Sequence, residues 1–321
     1  MKSSKMLVTG GCGFIGSNFI RYMLKKWPEC KILNIDKLTY AGNTDNLKDI
    51  GSNPNYEFIQ GDICQHELVS ELMPSVDQVV HFAAESHVDR SIEDGDIFVK
   101  TNVLGTHTLL QCALENKIDR FIHVSTDEVY GSIKEGSFRE SDILKPSSPY
   151  SSSKAGSDLL ALSYHTTYGL PVIVTRCTNN FGPYQYPEKL IPHFITNLMN
   201  EKKVPVYGTG MNIRDWIHVY DHCSGIDFVR EQGNDGEIYN IGGGSELTNL
   251  DITHRILKAL GKDESMIRYV EDRKGHDFRY SLNCDKLKNM GWKPEYEFDT
   301  ALDQTIQWYI DNRWWWEPLK S

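Results

Sequence analysis

The chain is poor in features that would place it outside ordinary globular enzymes. No apolar run approaches the ~20 residues needed to cross a bilayer, which leaves no spanning helix. Cysteine is sparse and unpaired in pattern: seven residues (Cys12, Cys30, Cys64, Cys112, Cys177, Cys223, Cys284), odd in number and never spaced CxxC. That excludes a disulfide framework and a paired-cysteine zinc site, and predicts a reduced, intracellular chain without a metal. Positive charge is the minority, with 34 Lys and Arg against 44 Asp and Glu and a formal net charge of −10. Such a balance argues against nucleic acid and against an anionic membrane, while a locally basic pocket for a small anion stays open. Repeats and low-complexity segments are absent. The opening MKSSKMLVTGG has no apolar signal core, so the expectation is a cytoplasmic protein.

What is present is enough for a real core. The chain has 321 residues, 40% hydrophobic and 24% charged, which suits one large or two modest domains. Met6-Leu7-Val8 runs as a strand into Gly10-Gly11-Cys12-Gly13-Phe14-Ile15-Gly16, and a helical pattern follows through Phe19, Ile20, Met23, Leu24 and Trp27. Strand, glycine turn and helix form a dinucleotide-binding unit, in which backbone N–H groups meet a pyrophosphate at the helix N-terminus. A second strand, 31–35, ends in Asp36 about twenty residues beyond Gly16, where a carboxylate accepts from an adenosine ribose and repels a 2′-phosphate. The cofactor expected is therefore NAD, with Lys37 softening the preference over NADP. A third strand, 56–59, leads to Asp62, which either meets an adenine edge or caps a turn. A fourth, 78–82, leads to Ala83 and Ala84, where small residues either admit the cofactor or simply pack. A long helix is expected over about 91–116.

The strand at 121–124 delivers Ser125-Thr126-Asp127-Glu128-Val129-Tyr130-Gly131. Strand carboxyl ends are where parallel sheets hold ligands. On an extended segment Asp127 and Glu128 would point opposite ways, letting one stay protonated while the other ionises. Next comes Tyr150 with Lys154 at the start of a helix, one turn apart on one face, where the ammonium is expected to lower the phenol pKa. The same YxxxK spacing occurs at Tyr22/Lys26 and Tyr130/Lys134, and context selects Tyr150. Alternating strands and helices argue for an α/β, doubly wound parallel sheet of Rossmann type. Beyond residue 178 shorter elements carry Lys189, Arg214, Arg273, Lys274 and His276, which are either a solvated face or phosphate ligands. The Trp314-Trp315-Trp316 cluster reads as packing or an interface. The expected division is an NAD-binding domain over 1–178, joined by 216–242, and a smaller substrate domain over 179–321.

Together the glycine turn, Asp36, STDEVYG and Tyr150/Lys154 resemble the extended short-chain dehydrogenase/reductase family. Longer stretches resemble its branch that removes water from nucleotide sugars: DKLTYAGN (36–43), AAESHVDRSI (83–92), SSPYSSSKA (147–155), NNFGPYQYPEKLIP (179–192), YGTGMNIRDWIHV (207–219) and YNIGG (239–243). Thr178 and Phe181 stand where that branch usually has Ser and Tyr, and Lys274 replaces a proline. The resemblance implies NAD-dependent dehydration of dTDP-glucose, a lyase reaction in deoxysugar biosynthesis of the rhamnose type. Tyr150 with Lys154 would take the C4 hydroxyl proton, Thr126 would bond that oxygen, Glu128 would remove the C5 proton and a protonated Asp127 would serve the departing C6 hydroxyl. It implies NAD contacts from Gly10, Gly13, Phe14, Ile15, Gly16, Asp36, Lys37, Leu38, Thr39, Asp62, Ile63, Phe82, Ala83, Ala84, Ser86, Thr101, Tyr150, Lys154 and Asn180. It implies substrate contacts from Ser86, Thr126, Asn179, Lys189, Leu190, Pro205, Val206, Tyr207, Arg214, Asn249, Asp272, Arg273, Lys274, Gly275 and His276. A homodimer through the helices beginning near Ser91 and Tyr150 is also implied. Nucleotide-sugar 4-epimerases and decarboxylases of the family share the tyrosine, lysine and NAD; the adjacent Asp127 and Glu128 set this chain apart from them. A non-catalytic NAD sensor would not need Thr126, Tyr150 and Lys154 intact.

Overall fold

The computed structural model describes residues 5–272 and 277–320. Its centre is a seven-stranded parallel sheet in the order β10-β6-β5-β4-β1-β2-β3. The strands are β1 (Lys5–Thr9), β2 (Lys31–Asp36), β3 (Tyr56–Gln60), β4 (Gln78–His81), β5 (Arg120–Thr126), β6 (Val172–Cys177) and β10 (Ile238–Ile241). Helices cover both faces, so the inner strands read as apolar runs rather than alternating ones; Met6, Leu7 and Val8 of β1 are all buried. One face packs against the helices Phe14–Lys26 and Val219–Gln232 through Phe19, Ile20, Met23, Ile226 and Val229. The other packs against Thr106–Glu115 and Pro149–Tyr168 through Leu109, Leu110, Ala161 and Tyr164. Strand order reverses between β1 and β4, and their carboxyl ends open the crevice where ligands of such sheets sit.

The remaining strands make two small sheets. β7 (Asn179–Phe181) and β11 (Glu246–Thr248) flank β9 (Ile213–His218), while β8 (Val204–Tyr207) pairs with β12 (Ile267–Val270). They share a core of Phe194, Ile195, Ile256, Leu302, Tyr309, Trp315 and Trp316. Two tryptophans of the terminal cluster are thus packing residues, and Trp314 is half exposed.

Two local expectations need correction. The single helix over 91–116 is broken into Val88–Glu93, Asp96–Phe98, a π-helical stretch Val99–Gly105 and Thr106–Glu115. Asp94 ends the first piece by accepting the Asp96 N–H at 3.1 Å. At the last junction a Cβ on Gly105 would lie 2.6 Å from Ile63 Cδ1, so a larger residue there would require the Ile63 side chain to shift. The second correction is that Asp127–Tyr130 is a 3₁₀ turn, not an extended segment. The carboxyls still differ in environment, because the turn buries one and leaves the other near its surface.

Candidate active site

The cleft at the carboxyl ends of β1, β4, β5 and β6 begins with backbone. Gly10 has φ +70°, and a Cβ there would meet Ala83 N at 2.6 Å. The helix Phe14–Lys26 starts at Gly13 with no side-chain cap, so the first-turn N–H groups keep their capacity for an anion. Gly10, Gly13, Phe14, Ile15 and Gly16 all line the cleft. The Asp36 carboxylate accepts from the N–H groups of Leu38 (2.8 Å) and Cys12 (2.9 Å), and burial raises its pKa against them. Lys37 pairs with Asp62 at 2.9 Å, so its charge is directed there rather than at a ribose phosphate. Asp36, Lys37, Thr39, Asp62, Ile63, Phe82, Ala83, Ala84, Ser86, Thr101 and Asn180 also line the cleft. Leu38 does not; at φ 57° it shapes the turn after Asp36. This donor set fits a dinucleotide.

Thr126 ends β5, where pairing with Cys177 of β6 holds it. The helix carrying Tyr150 and Lys154 starts from a reciprocal cap between Ser148 and Ser151, with Pro149 in its first turn. Lys154 Nζ donates to the Val124 carbonyl at 2.8 Å, and burial lowers the pKa of its ammonium. Tyr150 is pushed well up, first by burial, then by Glu128 and Cys177, with the Thr126 hydroxyl opposing. The expected lowering by Lys154 is therefore not what the structure gives: the ammonium is engaged by a backbone carbonyl, and a carboxylate lies near the phenol.

Asp127 is 3% exposed. The Thr126 hydroxyl donates to its Oδ1 at 3.2 Å, and its Oδ2 has no partner among the described residues. Burial raises its pKa well above the ordinary carboxyl range, Glu128 adds to this, and Arg214 pulls the other way. The Asp127 carboxyl is thereby pushed toward its protonated form. Glu128 is partly exposed and lines the same cleft. The other YxxxK pairs lie elsewhere: Lys26 bonds Tyr22 (3.0 Å) and Asp227 (2.7 Å) on the surface, and Tyr130 is buried behind the turn.

On the remaining side, Ser86, Asn179 and Lys189 line the cleft, with Lys189 Nζ donating to the Ser86 carbonyl at 3.0 Å. Leu190, Pro205, Val206, Tyr207, Arg214, Asn249 and Asp272 do not line it. Arg214 is nevertheless close enough to act on Asp127; it stacks over Tyr280 and donates to the carbonyls of Ile213, Asp277 and Phe278. Arg273, Lys274, Gly275 and His276 fall outside the described residues. Sequence reading missed Tyr40, Glu85, Cys177, Thr178, Gln185, Tyr186 and Glu188, which also line the cleft. Cys177 was within reach, since it sits opposite Thr126 at the end of the adjacent strand; the others come from loops with no spacing to mark them.

The family described as GDP-mannose 4,6 dehydratase matches residues 7–305. Among curated proteins, a dTDP-glucose 4,6-dehydratase of Streptomyces niveus is 53% identical, covering 99% of this chain and 96% of its own. One from Escherichia coli is 44% identical, covering 98% and 96%. Among solved structures, a dTDP-glucose 4,6-dehydratase from Streptomyces venezuelae with NAD and TYD bound superposes with a TM-score of 0.97 at 53% identity, covering 98% of this chain and 99% of that one. A UDP-glucose 4-epimerase from Thermus thermophilus with NAD reaches 0.89 at 26% identity, covering 96% and 99%. The chain belongs to the GDP-mannose 4,6-dehydratase family and has the extended short-chain dehydrogenase/reductase fold.

Proposed function

We propose, with that membership as the premise, that this chain is a lyase that dehydrates dTDP-glucose to dTDP-4-keto-6-deoxyglucose. NAD held by the glycine turn and Asp36 supplies the chemistry of taking hydride from C4 and returning it to C6. Tyr150 takes the C4 hydroxyl proton, Thr126 bonds that oxygen, and buried Lys154 holds its place against Val124. With C4 a ketone, the C5 hydrogen is acidic; Glu128 removes it and gives the proton back to C5 when hydride returns to C6. Asp127 gives its proton to the C6 hydroxyl, which leaves as water. The observation that carries this reading is Asp127 buried beside the partly exposed Glu128, over one cleft with Tyr150, with burial pushing the Asp127 carboxyl toward its protonated form. An acid and a base on adjacent residues serve an elimination across C5–C6, which a 4-epimerase has no need to perform.

Residues 1–178 with 216–242 form the NAD-binding part in this reading, and 179–321 the substrate part. Lys189, Arg214 and the segment 273–276 would meet the diphosphate, and 205–207 the base. A homodimer is supported by apolar side chains left exposed on Val88–Gly105 and Pro149–Tyr168, among them Val99, Leu104 and Leu159. A cytoplasmic place is supported by seven free cysteines; among the described residues, no helix is long and apolar enough to cross a membrane. The test is to incubate purified protein with dTDP-glucose, without added NAD, and identify the product by mass and NMR. A 4-keto-6-deoxy product with no NADH released is expected. A 4-epimer, or NADH accumulating in step with product, would overturn the reading.

A further inference from the structure

The 3₁₀ turn that carries Asp127 and Glu128 ends in Tyr130, a fully buried phenol with no access to the cleft. Its hydroxyl sits between two groups from separate strands: it accepts from Arg176 Nη1 at 2.7 Å and donates to Asn240 Oδ1 at 3.0 Å. The donor directions are forced. The Asn240 amide spends both hydrogens on the carbonyls of Phe138 (3.1 Å) and Asn283 (3.2 Å), so its oxygen can only accept. The phenol must then donate to it, which leaves the phenol lone pairs for Arg176. Arg176 is oriented in turn by Asp158 at 2.9 Å. The Tyr130 ring stacks on Phe138 at 5.0 Å, 10° from parallel. Asp158 lies one turn beyond Lys154 on the helix of Tyr150, and its other oxygen is 3.3 Å from His123 Nε2. One chain of directional bonds thus runs from the helix of the oxidation residues to the turn of the elimination residues.

We infer that Tyr130 is a positioning residue for Asp127 and Glu128, and that the Asp158–Arg176–Tyr130–Asn240 chain holds the 3₁₀ turn at the angle elimination requires. This rests on the dehydration reading above. Thr126 is held by strand pairing, and Tyr150 and Lys154 by the helix cap and Val124, so the positions of the C4-oxidation groups do not rest on Tyr130, and the turn reaches Tyr150 chiefly through the Glu128 charge. The turn has local ties of its own: the Thr126 hydroxyl accepts from Glu128 N–H at 3.3 Å and donates to Asp127 Oδ1 at 3.2 Å, Gly131 N–H closes on Glu128 at 3.2 Å, and Lys145 N–H meets Val129 at 3.0 Å. These bonds are local or on the loop side; Tyr130 adds a hydrogen-bonded tie to the strands of the central sheet. A buried ion pair is weak evidence of added stability, and its best-attested use is to specify one arrangement among several.

Tyr130→Phe keeps the stacked ring and removes both hydroxyl bonds. In single turnovers of the NAD-loaded protein with dTDP-glucose, C4 oxidation is expected at the wild-type rate. Dehydration is expected to slow by ~10²-fold, the scale of a misplacement near 1 Å, so that bound NADH builds up. Asn240→Ala, which removes one of the two bonds, should shift the partition the same way by less. Leu257→Ala, in the core of the small sheets, serves as a variant of lowered Tm with the site untouched. If Tyr130→Phe slows both steps alike, slows neither, or shifts the partition no more than Leu257→Ala, the inference fails. If wild-type protein gives no dehydrated product, it is the function that fails, and the two failures are distinguished in one experiment.

Discussion

The two sides of the cleft are built by different means. The cofactor side is mostly main chain at the ends of one sheet: Gly10 pressed against Ala83, and an uncapped helix start at Gly13. The opposite side is mostly side chains drawn from separate segments, such as Lys189 reaching the Ser86 carbonyl, while Arg214, outside the cleft lining, is bound to the carbonyls of 277 and 278 and close enough to act on Asp127. A main-chain surface tolerates many side chains but no added Cβ at its glycines. A side-chain surface tolerates backbone neighbours but loses a ligand with each head group removed. The carboxyl pair sits where the two sides meet, on a turn that belongs to neither.

The largest effects should come from that junction. Positioned acids and bases contribute ~10²–10⁴-fold each, so Asp127→Asn and Glu128→Gln should each cost that much in dehydration while C4 oxidation proceeds, leaving bound NADH and a 4-keto sugar. A substrate with fluoride at C6 needs less help from an acid, so it should restore Asp127→Asn far more than Glu128→Gln. Equal rescue of both variants would merge acid and base into one unit and erase the division between them.

Next in size is a test of the main-chain side. Gly10→Ala places a methyl where the Cβ would meet Ala83 N at 2.6 Å, at φ +70°. Strain of about 1–3 kcal/mol from the backbone alone, with the clash added, should leave purified protein depleted of NAD, measured by release and absorbance. Full NAD content would show that the glycine turn does not set this side. The side-chain counterpart is Arg214→Ala, expected to raise KM or weaken dTDP binding by about 1.5–3 kcal/mol with little change in kcat. Unchanged dTDP affinity would return Arg214 to a purely structural part, lacing 213 to 277 and 278.

The same contrast explains what could be read from the sequence. Strands, glycine turn, Asp36 and the Tyr150 helix were legible because each function follows from local spacing at the end of a sheet strand. The Asp127 turn was located but given the wrong backbone, since its 3₁₀ form depends on Thr126 capping Glu128 and on Gly131 at φ 81°. The breaks near Asp94 and Gly105 were missed because helical periodicity continues through them, and the close approach of Ile63 to Gly105 comes from a segment distant in sequence. Tyr130 was discarded as a second YxxxK, though it anchors the catalytic turn through Arg176 and Asn240; partners 46 and 110 residues away leave no local pattern.

The smallest expected effect separates the carboxyls by charge rather than by step. Burial and the Glu128 charge hold the Tyr150 phenol well above its ordinary pKa. An anion nearby disfavours the phenolate, so removing it lets the phenolate form at lower pH. Glu128→Gln should therefore move the acid limb of C4 oxidation to lower pH, read from NADH formation in single turnovers. Asp127→Asn should move that limb by less, because burial pushes the Asp127 carboxyl toward its neutral form and its effect on the phenol is smaller than that of Glu128. Equal shifts in the two variants would mean that Asp127 is ionised at working pH. It could not then donate to the leaving hydroxyl, and the proton would have to come from another group lining the cleft.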